Sequence, residues 1–368
     1  MSFWLNRRRF MQTTSSVIAA GGLSSVAGRA FAQSSGELTV VVGGGAWGKA
    51  NIEAYVNPFE VETGSKVNTI TDELTRTQLE LMVANKNITV DVADMGAVAA
   101  IPGFARGLLE EIDYSIYKKE ELDGIVDFGK QPFGVASLFY SLNMVYNIET
   151  FSSGKPRPTT WAEFWDVNSF PGVRTLVSGS YGNGGPFEAA LLADGVAPNA
   201  LYPMDIDRAF ASLDKIKPHV RKWWTTGSEI QQMMHDKAAD IMQAYDGRAL
   251  ILVDEGAPIE INRNQAKLMW SYWVITKGGP NVQNAQRFVE FATRADRQAA
   301  FAQLFPSGPS NLNAYKTIPE KVARNLASYP EYMANSIPEN DKWYAEVGSD
   351  GMSNAERLVQ RWNEWILL

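Results

Sequence analysis

The first part of the chain alternates between two hydrophobic patterns. Short apolar runs bounded by turn residues are typical of buried strands, and apolar residues three or four positions apart are typical of helices. Strands are predicted at 37–42, 66–70 and 90–93. A helix with Ile52, Tyr55 and Phe59 on one side follows the first strand and ends before Gly64, and another, over 74–85, has Leu74, Leu81 and Met82 on one side. This strand–helix series predicts a parallel sheet flanked by helices.

Two long apolar runs interrupt the alternation, at 133–147 and 268–276. Both are rich in β-branched and aromatic residues, which favours extended structure. The segments between them again alternate, with predicted helices at 160–167, 186–194 and 206–216 and predicted strands at 173–179 and 239–245. We therefore expect an α/β protein of two parallel-sheet lobes joined by extended hinge crossings. Lobe 1 is predicted at 33–142 and 271–368, with the C-terminal helices in the latter segment, and lobe 2 at 143–270.

The N-terminal segment has the composition of an export signal. Arg7 and Arg8, with Phe10 two positions further on, resemble a twin-arginine motif, from which Asn6 and Gln12 depart. A weakly apolar run over 17–27 and the small-residue pattern at 30–32 complete a signal-peptide pattern. The alternative is an uncleaved basic tail. We expect 1–32 to be a twin-arginine-type signal peptide and the mature chain to reach the periplasm.

Composition excludes several classes of protein. The chain has 368 residues, is 45% hydrophobic and contains no cysteine. Disulfides, a thiol nucleophile, thiolate metal ligands and a lipid-anchoring cysteine are therefore excluded. Loss of 1–32 would remove four arginines and no acid, which changes the formal net charge from −7 to −11. Nucleic acid is not an expected partner of so acidic a chain.

The run "VVVGGGAWGKAN" at 40–51 places Gly43, Gly45 and Gly48 in the glycine pattern of a dinucleotide-binding loop. Asp72, after the second predicted strand, stands where such a loop needs an acid for the ribose. An exported NAD(P)-dependent oxidoreductase is therefore an alternative function. Against it, Trp47 would put an indole inside the phosphate cradle, and an isolated glycine pattern is a weak signal.

Other chemistry has little support in the sequence. His219 and His235 both have the surroundings of surface residues, and no nucleophile elbow of the Gly-x-Ser-x-Gly type is found. We expect no metal site, no cofactor, no catalytic residues and no enzymatic activity.

Five segments along the chain carry a family resemblance: "GGAWGKANIEAYVNPFEVETGSKV", "FEAALLADG", "IMQAYDGRA", "WVITKGGPNVQNAQRFVEFATR" and "RWNEWIL". They resemble the spermidine/putrescine-type branch of the periplasmic substrate-binding proteins that serve ABC transporters. No segment is a strict signature, but their order and spacing over nearly the whole mature chain are specific. The resemblance implies a type II two-lobed fold that closes on a small solute.

The resemblance also implies site residues. Trp47, beside Gly48, matches a ligand-contacting tryptophan, since twelve residues separate it from Phe59 as in the family. Glu188 matches an acid that receives an amine, Tyr245 falls where relatives carry a tryptophan, and Tyr344 falls on a polar contact position. An ammonium over an aromatic face gains roughly 0.5–2 kcal/mol. Core packing is the alternative for the aromatic residues, and helix-dipole compensation is the alternative for Glu188.

The sequence departs from the polyamine binders at positions that carry charge. Met269 and Ser271 replace the family's tryptophan and aspartate, so one amine-neutralising charge is missing. Arg248 occupies a position that is small and neutral in polyamine binders, where it would repel a diamine but could pair with a carboxylate. The alternative is a surface or hinge arginine paired with Asp246.

The aromatic residues near 271 leave a choice open. Trp270, Tyr272 and Trp273 cannot all face one way in a strand. Either Tyr272 alone or the two tryptophans point at the ligand.

We therefore expect the extracytoplasmic solute-binding component of an ABC importer. Its ligand would be a polyamine or a zwitterion such as 4-aminobutyrate, its partner the membrane permease, and its state a monomer. A sensing partner of a chemoreceptor is not separable from a transport protein by sequence.

Overall fold

A mixed sheet of 11 strands forms the centre of the computed structural model, which describes residues 37–72 and 74–368. The predicted signal segment 1–32 lies outside the described residues. The strands are β1 (Leu38–Val41), β2 (Val67–Ile70), β3 (Val92–Gly96), β4 (Lys130–Gln131), β5 (Gly134–Asn147), β6 (Arg174–Val177), β7 (Val220–Trp224), β8 (Ile241–Tyr245), β9 (Ile259–Ile275), β10 (Gly308–Pro309) and β11 (Ile337–Pro338).

Helices cover this sheet, and most have a glycine, proline, serine, threonine, asparagine or aspartate at the N-cap. They are α1 (Gly45–Asn51), α2 (Asn57–Thr63), α3 (Arg76–Ala84), α4 (Ala97–Ala105), α5 (Lys119–Gly124), α6 (Trp161–Trp165), α7 (Phe187–Ala193), α8 (Ile206–Ile216), α9 (Gly227–His235), α10 (Asp246–Asp254), α11 (Val282–Ala292), α12 (Ala295–Leu304), α13 (Glu320–Ala323), α14 (Pro330–Asn335), α15 (Asp341–Ala345) and α16 (Asn354–Trp365). A π-helical turn, Ile52–Val56, links α1 to α2. Gly64, at a φ of 68°, ends α2 as the sequence predicts. No helix in the described part of the chain combines the length and apolar character needed to cross a membrane.

The strand order is β2-β1-β3-β9-β5-β8-β6-β7. Strands β1, β2 and β3 are parallel to one another, and so are β6, β7 and β8. The long strands β5 and β9 run antiparallel between these two groups and join them into one continuous sheet. The α/β class is confirmed, and the predicted crossings correspond to β5 and to the C-terminal half of β9.

Helix α3 buries a side that includes Met82, as predicted, but that is centred on Leu79 and excludes Leu81. Leu79 is fully buried, whereas Leu81 is 57% exposed. The helix begins after a capping box between Thr75 and Gln78, and the side at Leu79 and Met82, three residues apart, packs beneath the sheet. Strand β3 covers 92–96 instead of the predicted 90–93, so it starts two residues later and extends to Gly96.

The C-terminal helix α16 packs on residues from the middle of the chain. The ring centroids of Trp362 and Trp223 lie 5.0 Å apart, and those of Trp365 and Phe210 lie 5.8 Å apart. Because α16 is amphipathic, these contacts bury its apolar side against the second strand group.

Candidate functional site

A cavity of about 600 Å³ lies at the carboxyl ends of β1, β3 and β8. Ligands of open α/β sheets bind at such strand ends. The cavity is lined by Val41, Val42, Gly43, Gly44, Trp47, Thr71, Leu74, Asp94, Met95, Gly96, Ala99, Leu138, Tyr140, Tyr245, Asp246, Gly247, Arg248, Ser271, Phe305 and Ser307. Both parallel strand groups contribute to its wall, as a cleft between two halves requires.

The glycine-rich loop after β1 holds an aromatic ring at the cavity. Gly43 has a φ of 73°, and a Cβ added to it would lie 2.6 Å from Cδ1 of Trp47. The indole packs edge-on against Phe301 and Phe305, with centroids 5.2 Å away in each case. The indole therefore fills the space above Gly43 that a dinucleotide loop would keep open for phosphate.

Gly48 has a structural role that the glycine pattern does not reveal. It is buried, and a Cβ at this position would lie 2.1 Å from the carbonyl oxygen of Gly43. It lets α1 pack directly on the loop and does not line the cavity.

Two tyrosines form an aromatic part of the cavity wall. The rings of Tyr140 and Tyr245 lie 5.9 Å apart, and Trp224 supports Tyr245 at 5.5 Å. Burial raises the pKa of both phenols, so these side chains are neutral at physiological pH. The structure thus brings Trp47 and Tyr245 to the same cavity.

Helix α10 places two charged residues in its first turn. Oδ1 of Asp246 accepts hydrogen bonds from the backbone N–H groups of Ser141, at 3.1 Å, and Gly247, at 2.9 Å. Burial raises the pKa of the Asp246 carboxyl, and the guanidinium of Arg263, 3.5 Å from Oδ2, opposes that shift. Asp246 is thus held by internal contacts.

Arg248 is half-buried on the cavity wall and donates to Oε1 of Gln231 at 3.3 Å. The predicted alternative of a pair with Asp246 is wrong, since Asp246 pairs with Arg263. Among the described residues, no carboxylate lies within 4.0 Å of the Arg248 guanidinium. The cavity therefore presents a cation that can form a bidentate pair with a carboxylate.

Strand β9 presents Ser271 to the cavity, but not its neighbours. Trp270 and Tyr272 share the other face, where the indole N–H donates to the Tyr272 hydroxyl at 2.7 Å. Trp273 packs against Tyr55 and Phe288 in the core. We predicted that either Tyr272 alone or both tryptophans would point at the ligand. Neither arrangement occurs, because Trp270 and Tyr272, two apart in the strand, face the same way, away from the cavity, and Trp273 packs in the core.

Glu188 and Tyr344 lie in a separate buried cluster. Oε1 of Glu188 accepts from the hydroxyls of Tyr344, at 2.6 Å, and Tyr202, at 2.5 Å, and lies 2.6 Å from Nζ of Lys267. The ammonium of Lys267 neutralises this carboxylate, as a buried charge requires. The structure does not bring Glu188 or Tyr344 to the cavity.

Asp94 and Tyr140 are cavity residues that the sequence analysis missed. Asp94 directly follows the predicted strand at 90–93, so the rule that sites form at strand ends was a usable signal. Tyr140 lies inside a strand that we interpreted only as a crossing. In the described ranges, no cluster of three or more histidine or acidic side chains has the proximity needed for a metal ion.

The chain belongs to the bacterial extracellular solute-binding protein family, whose sequence model matches residues 54–333. It is 30% identical over 350 residues to the gamma-aminobutyric acid-binding protein of Pseudomonas aeruginosa, covering 93% of this chain and 95% of that protein. It is 22% identical over 325 residues to spermidine/putrescine-binding periplasmic protein 1 of Haemophilus influenzae, covering 85% and 86% of the two chains.

The fold matches a solved structure of the same kind. An ABC transporter substrate-binding protein from Bradyrhizobium japonicum USDA 110 superposes with a TM-score of 0.81 and 32% identity, over 90% of this chain and 99% of that chain. The predicted family and type II binding-protein fold are confirmed. These comparisons favour solute binding and give the oxidoreductase alternative no support.

Proposed function

We propose that this protein is the periplasmic component of an ABC importer and that its solute is a zwitterion with an amine and a carboxylate, such as 4-aminobutyrate. The observation that carries the proposal is Arg248, a half-buried guanidinium on the cavity wall with no carboxylate beside it among the described residues. An arginine in this position attracts a carboxylate and repels a polyamine.

Two further features support this choice. The relative at 30% identity is a gamma-aminobutyric acid-binding protein. The cavity also combines Trp47, Tyr140 and Tyr245, whose ring faces attract an ammonium group. The predicted site residues Trp47, Tyr245 and Arg248 would thus act together.

We also propose that two halves of the monomer close on the solute. The first half is 33–142 with most of 271–368, and the second is 143–270 together with α16, which packs on Phe210 and Trp223. One parallel strand group belongs to each half, and residues of both line the cavity. Closure would present a complete docking surface to the membrane permease.

The test is a binding panel on the chain from Gln33 onward, with 4-aminobutyrate, α-amino acids, putrescine, spermidine and NAD(P). A ligand at about 100 times its Kd stabilises the folded state by about 2.7 kcal/mol, which a thermal shift detects. We expect a shift with 4-aminobutyrate and none with the polyamines. A shift with polyamines alone, or with NAD(P) alone, would contradict the proposal.

Arg248→Met removes the guanidinium and keeps an apolar stem of similar length. We expect titration calorimetry to show at least about a tenfold loss of affinity for 4-aminobutyrate, because a carboxylate loses its charged partner. The matched control is Arg287→Met, an exposed position of α11 outside the cavity. Equal affinities in the two variants would count against the role of Arg248.

A further inference from the structure

Asp94 lies at the carboxyl end of β3, on the wall of the cavity that holds Arg248. In the β3–β9 ladder, Asp94 is opposite Trp273, and Gly96 is opposite Ser271. Opposite residues of an antiparallel pair face the same way, so Asp94 and Ser271 are diagonal neighbours on one face, with Cα atoms about 7–8 Å apart. A carboxylate at 94 can therefore reach much of the space that a carboxylate at 271 would serve.

The acids among the described cavity-lining residues are Asp94 and Asp246. Asp246 is 1% exposed, accepts two backbone hydrogen bonds and faces Arg263. Its charge is already compensated by these contacts. Asp94 is half-buried at the cavity and is the acid better placed to meet a solute.

The positions of the two charged residues also limit the ligand. Asp94 belongs to β3, and Arg248 lies in the helix after β8, with β9 and β5 between these strands. Neighbouring strands are about 4.8 Å apart, so roughly 14 Å separates β3 from β8. The two side chains shorten this span, and a ligand whose amine and carboxylate are separated by several carbon atoms bridges more of what remains than one that carries both on one carbon atom.

We propose that Asp94 receives the ligand's ammonium group while Arg248 holds its carboxylate, so that the site selects ω-amino acids over α-amino acids. This inference rests on the proposed function. Asp94 would supply from β3 the negative charge that Ser271 does not supply from β9. A ligand held at both ends would also bridge the two strand groups.

The first test uses the unaltered protein and a ligand series. We expect titration calorimetry to give tighter binding of 3-aminopropionate, 4-aminobutyrate or 5-aminopentanoate than of 2-aminobutyrate. Tighter binding of 2-aminobutyrate would overturn the assignment of the two charges to separate walls. This test does not depend on the folding of any variant.

The second test moves the carboxylate. Asp94→Asn is expected to lower the affinity for 4-aminobutyrate by roughly tenfold or more, because the ammonium loses its counter-charge. Adding Ser271→Asp to that variant should restore much of the affinity, since the carboxylate returns on the diagonal position. Asp72→Asn, at an exposed acid after β2 outside the cavity lining, is the matched control.

The outcomes separate the two proposals. If no zwitterion binds the unaltered protein, the proposed function fails. If 4-aminobutyrate binds and Arg248→Met weakens it, but Asp94→Asn binds as tightly as Asp72→Asn, the role of Asp94 is overturned while the proposed function stands. A loss in Asp94→Asn that Ser271→Asp does not restore would also contradict the transfer of the carboxylate between strands.

Discussion

Single residues set the shape of the cavity rim. The positive φ of Gly43 turns the chain after β1, and the absence of its side chain leaves room for the indole of Trp47. Gly44 has a φ of −101° and no atom within 4 Å of an added Cβ. Adjacent glycines in one loop therefore meet different constraints, and of the two only Gly43 makes room for the indole.

Alanine at each of these two glycines distinguishes the effect of a Cβ at positive φ from the effect of losing a loop glycine in general. Gly43→Ala should lower the free energy of unfolding by about 1–2 kcal/mol, because a Cβ is unfavourable at positive φ. It should also weaken ligand binding, because the added methyl group displaces Trp47. Gly44→Ala should leave the free energy of unfolding nearly unchanged, because its φ is negative and the added Cβ meets no neighbour. Urea unfolding and calorimetry check both variants, and similar behaviour of the two would contradict this account of the loop.

At the scale of elements, the long strands β5 and β9 connect the two strand groups. Their pairing is interrupted between Leu142 and Met144, where β9 has four residues opposite one. Gln265, within this interruption, has a φ of 56°, and its side-chain and backbone oxygens accept both N–H groups of Trp161. Such irregularities bend a strand, so this region can accommodate a change of angle between the halves.

Closure of the two halves predicts a change of shape on binding. Small-angle X-ray scattering should show a smaller radius of gyration for the chain from Gln33 with saturating 4-aminobutyrate than without it, because a ligand held on both walls favours the closed state. Arg248→Met at the same ligand concentration should keep the larger radius. An unchanged radius in the unaltered protein, with binding shown by calorimetry, would contradict hinge closure.

At the scale of the whole molecule, distant segments assemble a buried acidic cluster. Glu188 from α7, Glu339 after β11 and Asp341 of α15 surround Lys267 of β9, and all are at most 8% exposed. Burial raises the pKa of Glu339 to about 7, with Lys267 opposing and Glu188 adding to the shift. Burial and the neighbouring Glu339 raise the pKa of Asp341 to about 8.

This cluster makes stability depend on pH. Unfolded carboxyl groups titrate near pH 4, so between about pH 4 and 8 the folded state binds more protons than the unfolded state. The free energy of unfolding should therefore fall as the pH rises through this window and level off above it. Urea unfolding at about pH 5.5 and pH 8.5 measures the fall.

Glu339→Gln should reduce the pH dependence, because a neutral amide replaces one of the titrating groups. Glu331→Gln, on an exposed face of α14, should leave it unchanged. The same slope in both variants would show that other groups cause the dependence.

Much of this protein could be read from its sequence because the relevant physics is local. Apolar periodicity and turn residues located most of the strands, several of the helices, the Gly64 cap and the glycine loop that forms the cavity rim. Segments that match a known family in the same order and spacing predicted the class of protein. Trp47, Tyr245, Arg248 and Ser271 were placed near the ligand by that resemblance, and the structure brings them to one cavity.

The remaining features depend on which distant segments meet. Glu188 is neutralised by Lys267, Asp246 by Arg263, and Asp94 stands diagonal to Ser271, all through strand pairing and packing between residues far apart in the chain. The electrostatic role of an acid depends on its burial and its nearest opposite charge, and neither is encoded in its immediate neighbours. For this reason a family pattern could indicate where charge is missing from this site, but only the folded chain could place Asp94 diagonal to Ser271.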